Sequence, residues 1–376
     1  MARISQFRAE RNRPRPSERH THFDFGNTWM LTEAARLAFI EGKGQKEVGE
    51  ILGVSQATVS RLLQRAREEE IIQFYLKPTL EYRLADELRE KFQESCVTNF
   101  IVVPGGSGIN EGNLAGPAAA DILRQLLHLK ASESRITASG GITVRSVFDS
   151  MIRALTSVEE WIDTDRTLEF HPAVLGNDHV VDVYHPASLA AILAMSINRA
   201  TGQNQEESES FRPLKIKASA PTLPANFYEL DGRERELSWR VLGVEKILQN
   251  ARASQMFIVG IGRAAKDTRY LEILKAMNKD FPRKLGNAVG EICWVPFDKD
   301  GQLIDKIANE LVAVKPDDLR DAVKGKRRVI AVAGGEEKKE PIEAAMIAPC
   351  FSTFVTDVVN ARYLLRSKRV GSKVAG

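Results

Sequence analysis

The stretch NTWMLTEAARLAFIEGKGQKEVGEILGVSQATVSRLLQRAREEEIIQFYL, residues 27–76, packs three helical patterns into a short span. In the first, Leu31, Ala34, Ala35 and Ala38 recur at helical spacing up to a break near Gly42-Lys43-Gly44. The second runs from Gln45 to Leu52, with Val48, Ile51 and Leu52 expected to face inward. Gly53 can take the positive φ of a tight turn, Val54 fills the angle between helices, and Ser55 can cap the next helix. There Val59, Leu62, Leu63 and Ala66 fall at i, i+3, i+4 and i+7 and form a buried stripe. Two helices joined by so short a glycine-bearing turn predict a helix-turn-helix.

The third helix leaves a polar face. Base edges in the major groove are read by amide, hydroxyl and guanidinium groups, and a thymine methyl by a small apolar contact. The start of such a helix reaches the bases and its later turns meet the backbone. Gln56, Ala57, Thr58, Ser60 and Arg61 are therefore the expected base or near-base contacts, flanked by Ser55, with Arg65 and Arg67 nearer phosphate. Glu68-Glu69-Glu70 ends the basic face, and the β-prone run Ile71–Leu76 suggests a wing. Leu80–Phe92 reads as a connecting helix.

From Cys96 onward short β-prone runs alternate with helical stretches, the pattern of a parallel sheet covered by helices. Strands are expected at 98–103, 135–138, 168–175, 214–218, 256–261 and 328–333, and helices at 113–129, 144–155, 186–200, 234–251, 305–312 and 343–346. Several strands run into glycine-bearing loops: Gly105-Gly106, Gly140-Gly141-Ile142-Thr143, Gly260-Ile261-Gly262 and Gly334-Gly335. At the carboxyl ends of parallel strands such loops let backbone N–H groups approach an anion, helped by a helix N-terminus. Together they point to an anionic metabolite. No GxGxxG with an acidic residue placed for a ribose, no GxxxxGK[ST] and no GxSxG elbow occurs.

The whole chain agrees with two or more domains: 376 residues exceed what a single core usually holds. The expected plan is a basic disordered tail at 1–26, a helix-turn-helix domain at 27–78, a connecting segment at 79–95, and an effector and oligomerisation domain at 96–370. Hydrophobic content of 43% and charged content of 27% are those of an ordinary soluble protein, and no apolar run suits a membrane span. The first residues lack the apolar core of a signal peptide, which makes cytoplasmic the expected location. Three scattered cysteines and six scattered histidines give no metal-ligand spacing, and no cofactor is expected. Net charge is only +3, but six arginines between Arg3 and Arg19 could lie along phosphates.

With both halves in view, the chain resembles the SorC/DeoR-type sugar-binding transcriptional regulators. GQKEVGEILGVSQATVSRLLQRAREEEII is similar to that family's helix-turn-helix; GGITV at 140–144, GNAVGEICWVPFDKDG at 286–301, VIAVAGGEEKKEPIEAAM at 329–346 and VTDVVNARYLL at 355–365 resemble its C-terminal segments, in its order. Ile142 departs from the small or hydroxyl residue expected there. The resemblance implies an effector domain with the phosphosugar isomerase/glucosamine-phosphate deaminase fold that binds a sugar or sugar phosphate without turning it over. Gly140, Gly141 and Thr143 would contact phosphate, Glu291 would accept hydroxyl hydrogen bonds, Lys338 would meet anionic charge, and Arg269 is a further candidate. A homodimer or homotetramer on double-stranded operator DNA is the implied assembly. The competing readings are a sugar-phosphate isomerase or deaminase with a DNA-binding appendage, and a constitutive DNA-binding protein whose large domain only oligomerises.

Overall fold

The computed structural model describes residues 25–69, 71–72, 80–104, 112–127, 133–157, 167–177, 182–200, 215–218, 222–265 and 268–370. The chain divides into two compact units, 1–76 and 77–376.

In the first unit α1 (Phe25–Ala35) continues into a π-helical turn over Arg36–Ile40, and α2 (Gln45–Leu52) and α3 (Gln56–Glu68) follow. The single first helix expected from periodicity is thus an α-helix with a widened last turn. Leu31, Ala34, Ala35, Leu37, Val48, Val59, Leu62, Leu63 and Ala66 form one core, with Leu52 and Val54 packed against it. Gly53 sits at φ 67°, in the left-handed region where glycine carries no Cβ penalty, and closes α2 through its N–H to Gly49 O. Ser55 caps α3: its Oγ accepts from Thr58 N at 3.1 Å. Ile51, expected inside, is 51% exposed; α2 is too short to bury a second stripe beside Val48. Most of the expected wing and of the arginine-rich tail lies outside the described residues.

The second unit is a seven-stranded parallel sheet flanked by helices. In chain order its elements are α4 (Tyr82–Lys91), β1 (Asn99–Val103), α5 (Gly112–Leu127), β2 (Glu133–Ala138), α6 (Ile142–Ser157), β3 (Thr167–Pro172), α7 (Pro186–Ala200) and β4 (Lys215–Ala218). Then come α8 (Gly232–Val241), α9 (Val244–Arg252), β5 (Met256–Gly260), β6 (Gly262–Arg263), α10 (Arg269–Met277), α11 (Phe281–Lys284), β7 (Ala288–Ile292) and β8 (Val295–Asp298). The chain finishes through α12 (Asp305–Ala308), α13 (Pro316–Lys324), β9 (Arg328–Val332), α14 (Lys339–Ile347), β10 (Thr353–Asp357) and α15 (Val358–Arg366).

The sheet order is β1-β10-β9-β5-β2-β3-β4, and β6-β7-β8 form a separate antiparallel sheet. The central strands β5 and β9 are apolar on both faces, as a sheet covered on both sides requires. In β5, Met256 and Ile258 join Phe148 and Phe170 on one side, while Phe257 and Val259 join Leu248 and Phe354 on the other. Helix α4 belongs to this second core through Ala85, Leu88 and Phe92, and Lys91 Nζ caps α15 by donating to the carbonyls of Leu364, Leu365 and Ser367.

Three expectations need correction. The helix read over 234–251 is two, broken at Gly243 (φ 63°). The one read over 305–312 stops at Ala308, because Leu311–Val314 turn back so that Val312 and Val314 pair with Leu175 and Ala173. The strand read over 168–175 leaves the sheet after Pro172 to make that pairing.

Candidate functional site

The carboxyl ends of β2, β5 and β9 open onto a cavity of about 280 Å³. The chain leaves β2 toward β3 on one side of the sheet and β5 toward β9 on the other, so the cavity lies where connections diverge, the usual place for a ligand in such sheets.

All eight residues singled out from the sequence line it: Gly140, Gly141, Thr143, Gly260, Gly262, Arg269, Glu291 and Lys338. The Gly260 and Gly140 loops are held side by side by buried Ser139, whose Oγ accepts from Gly260 N at 3.0 Å. Gly141 leads into α6, whose first N–H groups have no partner within the helix and face the cavity end. Thr143 is buried there, and Lys338 Nζ donates to its Oγ1 at 3.3 Å. Gly334-Gly335 stand one step back: Gly335 N donates to Asp357 Oδ2 at 2.7 Å, anchoring the loop that carries Lys338. The expected Gly105-Gly106 loop lies outside the described residues.

Glu291 comes from the opposite wall, on β7 opposite Gly262 of β6. Burial pushes its carboxyl up to about 7, against the lowering effects of Trp294 N, which donates to Oε2 at 2.8 Å, and of the Lys338 charge. The β7–β8 turn is made by Cys293 and Trp294, both in the left-handed region at φ 53° and 62°. Such a turn normally takes Asn-Gly, so two side-chain-bearing residues there store strain at the cavity wall. Tyr270 fixes the turn by donating from its hydroxyl to Trp294 O at 2.8 Å.

Sequence reasoning missed Trp294, Tyr270, His185, Tyr184 and Asp182, all of which line the cavity. A buried aromatic in a turn has no periodic signature, and the strap Asp182–His185 is brought to the cavity by long-range bonds such as Gly141 N to Tyr184 O at 2.9 Å. Arg269, the first residue of α10, pairs with Asp182 and lies over the Tyr184 ring at 4.5 Å. His185 packs edge-on against Trp294, and burial depresses its pKa to about 4, so the ring is neutral near pH 7. The N–H groups of Gly176 and Ala187 lie against its two ring nitrogens, one of which accepts in the neutral ring and ties the imidazole to the backbone.

The cavity can thus take an anionic group at the α6 N-terminus beside Thr143 and Lys338, and hydroxyl donors at Glu291. A carboxyl titrating near 7 would equally suit an acid–base catalyst. Comparison with known proteins separates the two. Residues 212–366 match the Sugar-bind family model of a sugar-binding domain, and residues 36–69 match that of sigma-70 region 4. The transcriptional regulator LsrR of Escherichia coli (strain K12) is 25% identical over 344 residues, 89% of this chain and 95% of the relative.

The chain is a sugar-binding transcriptional regulator similar to those of the SorC/DeoR type. Its relatives are named as transcriptional regulators, not as enzymes. Full-length sorbitol operon regulator SorC from Klebsiella pneumoniae shares the regulator's fold: TM-score 0.59, 21% identity, 90% of this chain and 99% of that one covered. A DeoR family transcriptional regulator from Listeria monocytogenes gives TM-score 0.54 at 20% identity, covering 75% and 98%.

On the DNA-reading unit of the regulator, Gln56, Ala57, Ser60 and Arg61 are exposed on α3 and Thr58 is half-buried. Ser55 is occupied as the cap and also contacts Thr58 Oγ1 at 2.8 Å. Arg65 pairs with Glu69 at 2.6 Å, and Arg67 lies over the Phe39 ring at 5.9 Å. No helix among the described residues is long and apolar enough to cross a membrane.

Proposed function

We propose that the effector is a sugar phosphate whose phosphate sits on the N-terminal turn of α6 between Gly140, Gly141, Thr143 and Lys338, and whose hydroxyls meet Glu291. The observation that carries this reading is the convergence of Thr143 and Lys338 on one side of the cavity and half-buried Glu291 on the other. Phosphate suits the first pair, because a helix N-terminus and a lysine both favour negative charge. A polyol suits the second, because a carboxylate only accepts and a sugar hydroxyl can donate. Arg269 serves as a further cation once an anion competes with Asp182.

The α3 residues Gln56, Ala57, Thr58, Ser60 and Arg61 then read bases, with Ser55 at the helix start and Arg65 at the backbone. A homodimer or homotetramer places two such helices on a pseudo-palindromic operator. Effector and operator affinities are reciprocally linked.

A thermal-shift screen of sugars and their phosphates, followed by fluorescence anisotropy on promoter DNA with and without the best binder, tests this. The reading expects a phosphorylated sugar to raise the melting temperature and to change operator affinity. Stabilisation by free sugars alone would overturn the phosphate assignment, and binding without any change in DNA affinity would overturn the coupling.

A further inference from the structure

A second cavity lies at the opposite end of the parallel sheet, where the amino ends of β1, β9 and β10 meet. It measures about 500 Å³, within the range of roughly 300–1,000 Å³ typical of small-molecule sites. Its charge differs from that of the effector cavity. The effector cavity balances Arg263, Arg269 and Lys338 against Asp182, Glu291 and Glu337. The second is lined by Arg124, Lys326, Arg327 and Arg328, and no carboxylate lines it among the described residues.

Parallel strands explain how the cations gather. Every strand starts at this end, so residues that lead into β9 and those that close α5 and α13 converge there. Helix carboxyl ends favour cations, which accounts for Arg124 in the last turn of α5. It does not account for Lys326 and Arg328, whose side chains have no hydrogen-bond or ion-pair partner among the described residues. Two of the four cations are already engaged: Arg124 pairs with Asp121 at 2.5 Å, and Arg327 donates to Ser254 O at 3.2 Å and lies over the Phe257 ring. Asn99 and Thr353 add an amide and a hydroxyl to the lining. Several cations without a carboxylate, beside neutral hydrogen-bonding groups, match a ligand with more negative charge than a single phosphate provides.

We propose that this cavity is a second ligand site of the regulator, taking a small molecule that carries a diphosphate or triphosphate group through Lys326 and Arg328. It is separate from the effector cavity and independent of what binds there.

Isothermal titration calorimetry on the full chain, in buffer with a chelator, tests this with inorganic tripolyphosphate and a nucleoside triphosphate as probes. Lys326 is exposed at φ 57°, so Lys326→Gly removes the charge with a residue at ease in that backbone. The wild type is expected to bind a probe, and Thr143→Val to retain the binding step that Lys326→Gly loses. Lys326→Gly and Arg328→Gln should each weaken binding by about tenfold or more, with Arg328→Lys recovering part of the loss and Lys326→Gly melting as the wild type does. Absence of probe binding to the wild type at millimolar concentration would overturn the proposal. So would binding lost in Thr143→Val but kept in Lys326→Gly, which would assign the probe to the effector cavity. If both charge variants instead weaken only non-specific duplex DNA binding, the patch meets nucleic acid and the small-molecule assignment falls.

Discussion

Lys338 and Thr143 lie 195 residues apart in sequence, yet Lys338 Nζ donates to Thr143 Oγ1 at 3.3 Å. One side chain follows β9 and the other opens α6, so the contact joins two crossover units at the mouth of the sheet. Lys338→Met removes the charge and Thr143→Val removes the hydroxyl with little change in shape. Each is expected to weaken phosphorylated-sugar binding by about one to two orders of magnitude, since a hydrogen bond to a charged group contributes roughly 1.5–3 kcal/mol. Neither should alter free-sugar binding much. Calorimetry with a sugar and its phosphate reads the difference, and equal losses for both ligands would remove phosphate from this end of the cavity.

Glu291 makes the effector unit sensitive to pH. Its folded pKa, about 7, stands above the ordinary 4.5, so the native state holds the proton more tightly than the unfolded chain. Stability from this group is full below about 4.5 and is lost as pH rises through 7, by up to about 3 kcal/mol. His185 works the other way: depressed from 6.5 to about 4, it removes stability as pH falls between those values. Glu291→Gln should therefore flatten the decline in melting temperature between pH 5 and 8 and leave the acid-side loss intact. Sugar hydroxyls that donate to the carboxylate favour its ionised form, so binding near pH 6 should release a proton, seen as a dependence of the calorimetric enthalpy on buffer. A wild-type enthalpy independent of buffer would mean that Glu291 does not meet those hydroxyls.

Gly260 and Gly262 read alike in the sequence and differ in three dimensions. A Cβ at Gly262 would overlap Oε1 of Glu291, whereas one at Gly260 would touch only Val144 Cγ2, at 3.5 Å, and Val332 O, at 4.0 Å. Gly262→Ala is expected to displace the Glu291 carboxylate, costing about 1–3 kcal/mol as an overpacked site, and to abolish effector binding. Gly260→Ala should fold and bind nearly as the wild type does. Thermal melts and effector titrations of the two variants decide it, and equivalent behaviour would show that the Gly262–Glu291 contact is not restrictive.

What the sequence disclosed follows from the range of the interactions. The helix-turn-helix is local: stripe, turn glycine and cap sit within a few turns of one another, and all but Ile51 lie as the periodicity requires. Strands buried on both faces, such as β5 and β9, were legible as continuous apolar runs. Strand β10 was not, because Thr353, Thr356 and Asp357 interrupt its apolar pattern although all three are buried in the sheet. In the cavity, glycine loops and isolated charges stood out. Trp294, Tyr270 and His185 reach it through a strained turn and a strap that no short-range pattern encodes.

Asp357 anchors the loop that leads to Lys338. Its carboxylate accepts from Gly335 N at 2.7 Å, Asn360 N at 2.8 Å and Asn360 Nδ2 at 3.0 Å, while Asn360 Nδ2 also donates to Gly335 O. Asp357→Ala leaves several buried donors unpaired and should cost about 3 kcal/mol or more, together with a fall in effector affinity as the loop before Lys338 loosens. Asp357→Asn keeps one acceptor oxygen and should recover part of both. If the alanine variant loses stability but binds the effector with unchanged affinity, Asp357 supports the fold and does not position Lys338.

The polar face of α3 should separate base reading from backbone contact. Arg61 is exposed early in the helix with no ion pair among the described residues, whereas Arg65, one turn later, is held by Glu69. Arg61→Ala should cost about 1–3 kcal/mol on operator DNA and relax preference at one position, with a smaller effect on unrelated duplex. Arg65→Ala should weaken operator and unrelated DNA alike and reduce the salt slope by about one. Ser55→Ala removes the cap, destabilising the unit by roughly 1 kcal/mol, and should lower affinity without changing preference. Anisotropy over a salt series on operator and scrambled duplexes distinguishes the three. If Arg61→Ala lowers both affinities equally, Arg61 contacts phosphate, and base reading falls to Gln56, Thr58 and Ser60.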